Sequence, residues 1–321
     1  MSVTRQGNKI FLTTGSHTYY YDETESILGE GAMGVVFRGF ELGTGKAVAI
    51  KQVREEYSNN AEIRRRAHLE ASLMFSHPNL VEMLGCCEIA PNRGPIFIIS
   101  SYVEGENIDK FINRKIRNLP HAEHRICNMF IPVLDALSYI HQKNIIHMDI
   151  KPSNIMVENE RNIRLMDLGI ADVSLMKSDV SSGMMGTPKY AAPEQFSNTQ
   201  AKSKLSPATD IYEAGVTLYE LLTKQNPFPN KVSEARKMHE SVVLEKTPAI
   251  SDDVLDVIRK ATEVNPSDRY QKASEMKRAL QEAIRHPTPT KRIDKMLIIG
   301  CVFFLFLLAV FGLLLWANYM K

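Results

Sequence analysis

Three polar residues lie close together in the stretch 145–157, which reads IIHMDIKPSNIMV. An aspartate, a lysine and an asparagine at the spacing of Asp149, Lys151 and Asn154 can place a base, a cation and a metal ligand around one point. Asp167 follows a second short β-like run and precedes a Leu-Gly pair. A carboxylate at the end of a strand suits a metal site, although an isolated Asp-x-Gly more often marks a turn. Together these residues predict a polar site with a base, a cation and a metal-binding group.

A glycine-rich segment, GEGAMGVV at 29–36, is suited to binding phosphate. Gly29, Gly31 and Gly34 let a β-turn approach phosphates and present backbone N–H groups to them. The same spacing occurs in dinucleotide-binding folds, where the loop runs from a strand into a helix. Here Gly34 is followed by VVFRGF, which is typical of a strand. The strand continuation therefore disfavours a dinucleotide-binding fold.

Lys51 ends an apolar run, AVAIK at 47–51, which follows the glycine segment. A single lysine at the end of a strand is often an edge residue whose stem covers apolar surface. Its place one hairpin after the glycines favours a phosphate ligand instead.

The elements that must position these residues fall into two parts. Two β-branched runs between 27 and 53 flank a Gly-containing turn at 43–45, which predicts a hairpin. The first 20 residues are polar, with a short strand at 9–13. A charged helix at 60–75 and a strand at 96–102 follow. Helical patterns then dominate, at 123–141, 208–222, 251–263 and 273–284, with short strands at 155–157 and 163–166. The sequence therefore predicts a small β-rich lobe followed by a larger helical lobe.

The order of these motifs closely resembles the signature set of protein kinases: GxGxxGxV, AIK, HxDxKPxN, DLG and, at 186–194, GTPxYxAPE. Asp210 resembles the residue that opens the central helix of that family. Arg269 resembles the late arginine that pairs with the APE glutamate, here Glu194. The resemblance covers about residues 21–284. It implies an α+β, bilobal protein-kinase fold, with a β-rich N-lobe at about 21–103 and a helical C-lobe at about 104–284.

The resemblance also implies roles for individual residues. Lys51 would hold the α- and β-phosphates of ATP, and Asp149 would accept the proton of the substrate hydroxyl. Lys151 would offset charge on the transferred γ-phosphoryl group, while Asn154 and Asp167 would hold Mg²⁺ or Mn²⁺. Thr187 would frame the substrate hydroxyl. The implied ATP-binding residues are Gly29, Gly31, Gly34, Val36, Ala49, Lys51, Glu70, Ser100 and Val103, and the implied structural residues are Glu194, Asp210 and Arg269.

Lys151, together with GTPKY before APE, resembles serine/threonine kinases rather than tyrosine kinases. The implied substrates are therefore serine and threonine hydroxyls of proteins. An alternative is a catalytically silent kinase-fold scaffold that docks partners at a membrane. Because Lys51, Asp149 and Asn154 are all present, the active enzyme is favoured. A kinase for a small molecule or lipid is a third alternative, and the peptide-binding GTPKYAAPE segment weighs against it.

The helix partner of Lys51 is left open by the sequence. A gap-free count back from the His-Pro-Asn turn at 77–79 lands on His68, whereas Glu70 needs a shortened connection. Residues advance about 100° each around a helix, so these two point about 200° apart and only one can face the lysine. Glu70 is the preferred partner, and Glu62 is a distant alternative.

Three other positions depart from the family pattern. Met148 replaces an arginine that normally clamps a phosphate on the activation segment, and Leu168 replaces a phenylalanine. Our hypothesis is that activity does not depend on phosphorylation of that segment. Ser100, followed by the hinge at 101–103, predicts an enlarged ATP pocket. The candidate phosphorylation sites that lack the matching arginine are Ser174, Ser178, Ser181 and Ser182.

An uncharged apolar stretch at 296–317 is long enough to span the ~30 Å hydrocarbon core of a bilayer. Lys291, Arg292 and Lys295 precede it and only Lys321 follows, which places the long N-terminal part on the cytoplasmic side. The architecture resembles bacterial membrane-anchored kinases of the eukaryotic-like type. We therefore expect an extension at 1–20, a kinase domain at 21–284, a basic linker at 285–295, a transmembrane helix at 296–317 that contacts membrane lipid, and a short tail at 318–321.

Composition excludes several other classes of protein. With 39 Lys and Arg against 37 Asp and Glu, the formal charge of +2 gives no support to a nucleic-acid binder. The four cysteines contain no CxxC pair, which disfavours a disulfide framework or a zinc site. Gly300 and Gly312 do not form a GxxxG pair, so homodimerisation through the span gains no support.

Overall fold

A computed structural model describes residues 2–31, 34–55, 61–72, 75–90, 93–167, 187–196, 205–241 and 243–285. Leu168, the four candidate phosphorylation sites and the segment 286–321 lie outside the described residues, as do the side chains of Glu62 and Glu70. No helix within the described ranges is long and apolar enough to cross a bilayer.

The N-terminal lobe is built on one antiparallel sheet. Its strand order is β1-β2-β3-β5-β6-β8-β7, and β3 and β4 share the same edge of β5. The predicted turn at 43–45 joins β5 and β6, and the predicted strand at 9–13 is confirmed as β2. The strands are β1 Ser2–Gln6, β2 Lys9–Thr14, β3 His17–Asp22, β4 Ile27–Gly31, β5 Gly34–Glu41, β6 Ala47–Val53, β7 Met83–Ala90 and β8 Arg93–Ser101.

The two faces of this sheet are covered differently. Helix α1, Ala61–Ser72, packs on β7 and β8, with Ala67 fully buried against Met83 and Ile98. On the other face, Ile10 and Leu12 from β2 pack with the core side chains of β5, β6 and β8. Strands β1 and β2 also contact β7, so the sheet curls toward closure. The first residues of the chain thus belong to the core of this lobe.

The C-terminal lobe is mainly helical, as predicted. The helix at Pro207–Thr223, α4, is buried along almost its whole length, and Ser206 caps its first turn together with Thr209. A three-stranded sheet, in the order β11-β10-β9, lies beside the helices. The elements are β9 Gly105–Asn107, α2 Ile108–Phe111 followed by a π-helical turn at Ile112–Ile116, α3 Ala122–His141, β10 Ile155–Glu158, β11 Asn162–Leu165, α4 Pro207–Thr223, α5 Val232–His239, α6 Asp252–Ala261 and α7 Ala273–Arg285.

A short connection after α1 ties the two lobes together. The side-chain amide of Asn79 donates to the carbonyl of Ile163 at 3.0 Å. The backbone of Leu165 donates to the Asn79 carbonyl at 2.8 Å and accepts from Val81 at 3.0 Å. The connection is therefore fixed to the strand that leads directly to Asp167.

Candidate active site

A cleft of about 410 Å³ lies between the lobes. The N-lobe sheet supplies its upper wall, the chain from 100 to 107 its back edge, and Met156, Met166 and Asp167 its lower wall. Six of the residues implied to bind ATP line this cleft: Gly29, Val36, Ala49, Lys51, Ser100 and Val103.

Strand register explains why the upper wall combines apolar and cationic side chains. Val36 on β5 pairs with Lys51 on β6, which pairs in turn with Ile98 on β8. Ala49 and Ser100 form the next pair on the same face, because side chains alternate faces along a strand. The upper wall of the cleft therefore combines apolar side chains with the Lys51 ammonium.

The glycine segment belongs to β4 and β5, as the strand continuation predicts. At Gly34 a Cβ atom would lie 1.9 Å from the backbone oxygen of Gln52, so no larger residue fits. Gly29 and Gly31 face open space, and only the former lines the cleft. The backbone at Gly29 can therefore approach a phosphate closely from above the cleft.

The predicted partner of Lys51 stays a prediction, because the Glu70 side chain lies outside the described residues. The backbone of Glu70 lies in α1. His68, the alternative, is bonded elsewhere: its Nε2 lies 2.7 Å from Oε1 of Glu88 on β7. Arg64 makes an ion pair with the same carboxylate at 2.8 Å. This pairing leaves Glu70 as the preferred candidate.

Asp149, Lys151, Asn154 and Thr187 meet at one point below the cleft. The Lys151 ammonium lies 2.6 Å from Oδ2 of Asp149 and 2.8 Å from Oγ1 of Thr187. The Thr187 hydroxyl donates to Oδ1 of Asp149 at 2.7 Å. The amide of Asn154 donates to Oδ2 of Asp149 at 2.9 Å. The predicted catalytic trio and the predicted substrate-framing threonine thus form one closed network.

Asp149 is only 5% exposed. Burial alone would raise its pKa, but the charge of Lys151 and the hydrogen bonds from Lys151 and Thr187 outweigh burial and lower the pKa. The carboxylate is therefore ionised at neutral pH. It can orient a hydroxyl group and receive its proton as the bond to phosphorus forms.

Asn154 and Asp167 have donor groups that fit a hard divalent cation. The Asn154 side-chain nitrogen is bound to Asp149, so its amide oxygen is turned away from that residue. The Asn154 backbone oxygen accepts from Met166, which places this turn beside Asp167. One carboxylate and one amide oxygen suit Mg²⁺, which takes few protein ligands and completes its shell with water and phosphate oxygens.

A second opening, of about 480 Å³, lies beside the network. Lys151 and Thr187 line it, together with Lys189, Tyr190 and Glu220. The network therefore borders a polar surface opening that can admit a hydroxyl-bearing chain, and Asn107 lines both this opening and the nucleotide-sized cleft.

Two buried carboxylates support the segments that carry the network. Asp210, at the start of α4, accepts hydrogen bonds from the backbone N–H groups of His147 and Met148, both at 2.8 Å. Glu194 forms a two-pronged pair with Arg269 at 2.8 and 2.9 Å. Asp210 thus holds the backbone just before Asp149, and the pairing of Glu194 with Arg269 that the resemblance implied is present in the turn after Thr187.

The sequence did not identify Gln195, Glu213 or His239, which also contact the segments of the site. The Gln195 amide donates to the Met148 carbonyl at 3.3 Å, and the carboxyl of Glu213 accepts from the Ile150 N–H at 2.8 Å. His239 lies 2.9 Å from the Pro188 carbonyl. Of these three residues, only Glu213 could have been identified from the sequence. It interrupts the apolar pattern of the 208–222 helix three residues after Asp210.

Comparison with known proteins shows which family this chain matches. A family model described as the protein kinase domain matches residues 22–287. Serine/threonine-protein kinase PrkC of Bacillus subtilis is 31% identical over 266 residues, which cover 80% of this chain and 39% of the relative. Serine/threonine-protein kinase pkn3 of Myxococcus xanthus is 32% identical over 287 residues, covering 83% and 50%. The chain thus spans half or less of the length of these relatives.

Solved structures with the same fold as this chain include a bacterial kinase domain. The kinase domain of Mycobacterium tuberculosis PknI superposes with a TM-score of 0.62 at 24% identity, covering 87% of this chain and 99% of that domain. A double mutant of the same domain superposes with a TM-score of 0.64 at 23% identity, covering 83% and 95%.

Proposed function

Because the chain belongs to the protein kinase family, we propose that it transfers the γ-phosphoryl group of ATP to serine and threonine hydroxyls of proteins. The closed network of Asp149, Lys151 and Thr187 carries this proposal. Lys151 and Thr187 also line the second opening. Two relatives, 31% and 32% identical to this chain, are named serine/threonine-protein kinases.

Each side chain has a role that follows from its geometry. The Asp149 carboxylate accepts the hydroxyl proton, and Thr187 holds that carboxylate in place from the substrate side. Lys151 supplies positive charge within 3 Å of both groups, where negative charge develops during the transfer. Most of the rate enhancement then comes from positioning and electrostatics.

Mg²⁺ or Mn²⁺, when bound with ATP, would neutralise phosphate charge. Asn154 and Asp167 are the residues that would hold it, and Lys51 would face the phosphates from the upper wall. The apolar side chains of Val36 and Ala49 would contact the adenine ring, because they line the same wall.

The proposal is tested with the full chain in detergent, labelled ATP, Mg²⁺ and a generic basic protein. Label in phosphoserine or phosphothreonine supports it. Lys51→Met is the matched control, because it removes the cleft ammonium while leaving Asp149 in place. A preparation that binds ATP but transfers no phosphate would point instead to a scaffold.

We further propose that the chain is anchored to a membrane by residues 296–317, with the kinase domain in the cytoplasm. The uncharged length of this segment and the cations at 291, 292 and 295 support that arrangement. Full-length protein should remain in the membrane fraction after an alkaline wash, and a version ending at 290 should be released. Release of both would refute the anchor without affecting the proposed activity.

A further inference from the structure

Helix α4 turns three polar side chains toward the loop that carries Asp149. Asp210, Glu213 and Thr217 are spaced three and four residues apart, so they share one face of the helix. All three are completely buried. Polar groups in such an interior are retained where they have hydrogen-bond partners.

Their partners are backbone groups on either side of Asp149. Asp210 accepts from His147 and Met148, Glu213 accepts from the Ile150 N–H at 2.8 Å, and the Thr217 hydroxyl donates to the Ile150 carbonyl at 2.9 Å. One helix face therefore fixes the loop both before and after Asp149.

Glu213 also contacts the turn at Pro193–Phe196, through the side chain of Gln195. Its Oε1 atom is buried and, within the described residues, has no well-formed hydrogen bond. The Gln195 side chain interacts with this carboxyl. Gln195 also accepts from the Ala192 N–H at 2.5 Å and donates to the Met148 carbonyl at 3.3 Å.

The carboxyl group of Glu213 is best suited to this place in its neutral form. Burial raises its pKa well above the usual value, and the negative charge of Asp210 raises it further. The Ile150 N–H and the Gln195 side chain both donate to this carboxyl, and their hydrogen bonds oppose part of the shift.

Met148 has a left-handed backbone, with φ of +65°. Such a conformation persists only where surrounding contacts hold it. The Met148 N–H is held by Asp210 and its carbonyl by Gln195. Its side chain carries no cation that would pair with a phosphate.

We propose that Glu213, acting with Gln195, is a positioning residue that holds the catalytic loop in its working geometry without a phosphate on the segment before Thr187. The inference rests on the proposed function and explains how the loop can be fixed with methionine at position 148.

The test uses the full chain in detergent, before and after phosphatase treatment, with phosphate content checked by intact mass. The variants are Glu213→Gln, Glu213→Leu and Gln195→Leu, with the exposed Glu234→Gln as a matched control. For each, kcat, KM for ATP, KM for the protein substrate and the thermal midpoint are measured.

We expect dephosphorylated wild type to keep at least about half of its kcat. Glu213→Leu should lower kcat by about 30-fold, the effect of one hydrogen bond lost from the loop, with KM for ATP changed less than about threefold. Glu213→Gln should stay within about threefold of wild type, because an amide oxygen can still accept from Ile150 and from Gln195.

The proposal is overturned if phosphatase abolishes wild-type activity, if folded Glu213→Leu keeps the wild-type kcat, or if Glu213→Gln loses as much as Glu213→Leu. Should the leucine variant not fold, Gln195→Leu decides: about a tenfold loss of kcat supports the proposal and an unchanged kcat overturns it. Wild type that transfers no phosphate before treatment refutes the proposed function itself, which separates the two failures.

Discussion

The guanidinium of Arg269 and the carboxylate of Glu194 form a fully buried, two-pronged ion pair, 75 residues apart in sequence. Arg269 also donates to the carbonyl of Ala208 at 3.0 Å and stacks over the ring of Tyr212 at 4.7 Å. The pair thereby joins the turn after Thr187 to the first turn of α4. This contact fixes the substrate side of the site to the core of the C-lobe.

Removing the arginine should destabilise the protein strongly. Arg269→Ala leaves a buried carboxylate without its partner, which typically costs about 3–5 kcal/mol. Denaturant unfolding of the wild type and the variant measures the difference. Arg236→Ala is the control, since it breaks an exposed pair on α5 and should cost less than about 0.5 kcal/mol. Equal losses from the two substitutions would contradict this reading.

Thr187 should act through its hydroxyl group. Thr187→Val keeps the shape but removes the bonds to Asp149 and Lys151, so kcat should fall about 10–100-fold. Thr187→Ser retains the hydroxyl and should stay within about threefold of wild type. Steady-state kinetics on a protein substrate would separate the two. A valine variant as active as the serine variant would remove Thr187 from the network.

His239 predicts a specific pH dependence of stability. Nε2–H donates to the Pro188 carbonyl at 2.9 Å, and the Tyr212 hydroxyl lies 2.7 Å from Nδ1, which accepts its proton when the ring is neutral. Burial lowers its pKa from 6.5 to about 4, although the bond to the Pro188 carbonyl opposes the shift. The unfolded chain therefore binds a proton between pH 6.5 and 4 that the folded chain does not, and stability falls as pH is lowered through that window.

On going from pH 7 to 4.5, wild type should lose about 2–3 kcal/mol more stability than His239→Gln. Other buried histidines remain in both proteins, so the difference isolates this residue. Unfolding curves at both pH values measure it. Parallel losses would show that His239 does not titrate in this way.

The N-terminal strands should be required for stability. Leu12 is fully buried in the core of the N-lobe, and Leu12→Ala should cost about 2–5 kcal/mol of unfolding free energy. Thr4→Ala, at an exposed position of β1, is the control and should be nearly neutral. A Leu12→Ala protein as stable as the control would mean that these strands are only loosely attached.

Ser100 should control the depth of the ATP pocket. Its small side chain lines the cleft next to Met83 and Ile98. Ser100→Phe should weaken a bulky ATP-competitive inhibitor by about tenfold or more, because overpacking costs about 1–3 kcal/mol. Equal inhibition of both proteins would show that the inhibitor does not use this space.

The sequence predicted the residues of the site more completely than the strands at the start of the chain. Asp149, Lys151 and Asn154 lie within a few residues of each other, so their proximity is local and could be read from spacing. Of the three N-terminal strands only β2 was predicted, because the polar, Thr-rich composition of this region hides the few inward side chains that pack on the sheet. Gln195 and His239 were missed because their partners are distant in sequence and set only by the tertiary fold.

The most direct test of the central claim is the phosphotransfer rate of Asp149→Asn at saturating ATP and Mg²⁺, measured beside ATP affinity on the full chain. Loss of the carboxylate should lower kcat about 10²–10⁴-fold, as expected for a general base, while the Kd for ATP stays within about threefold. An Asp149→Asn protein that transfers phosphate at the wild-type rate would contradict the account.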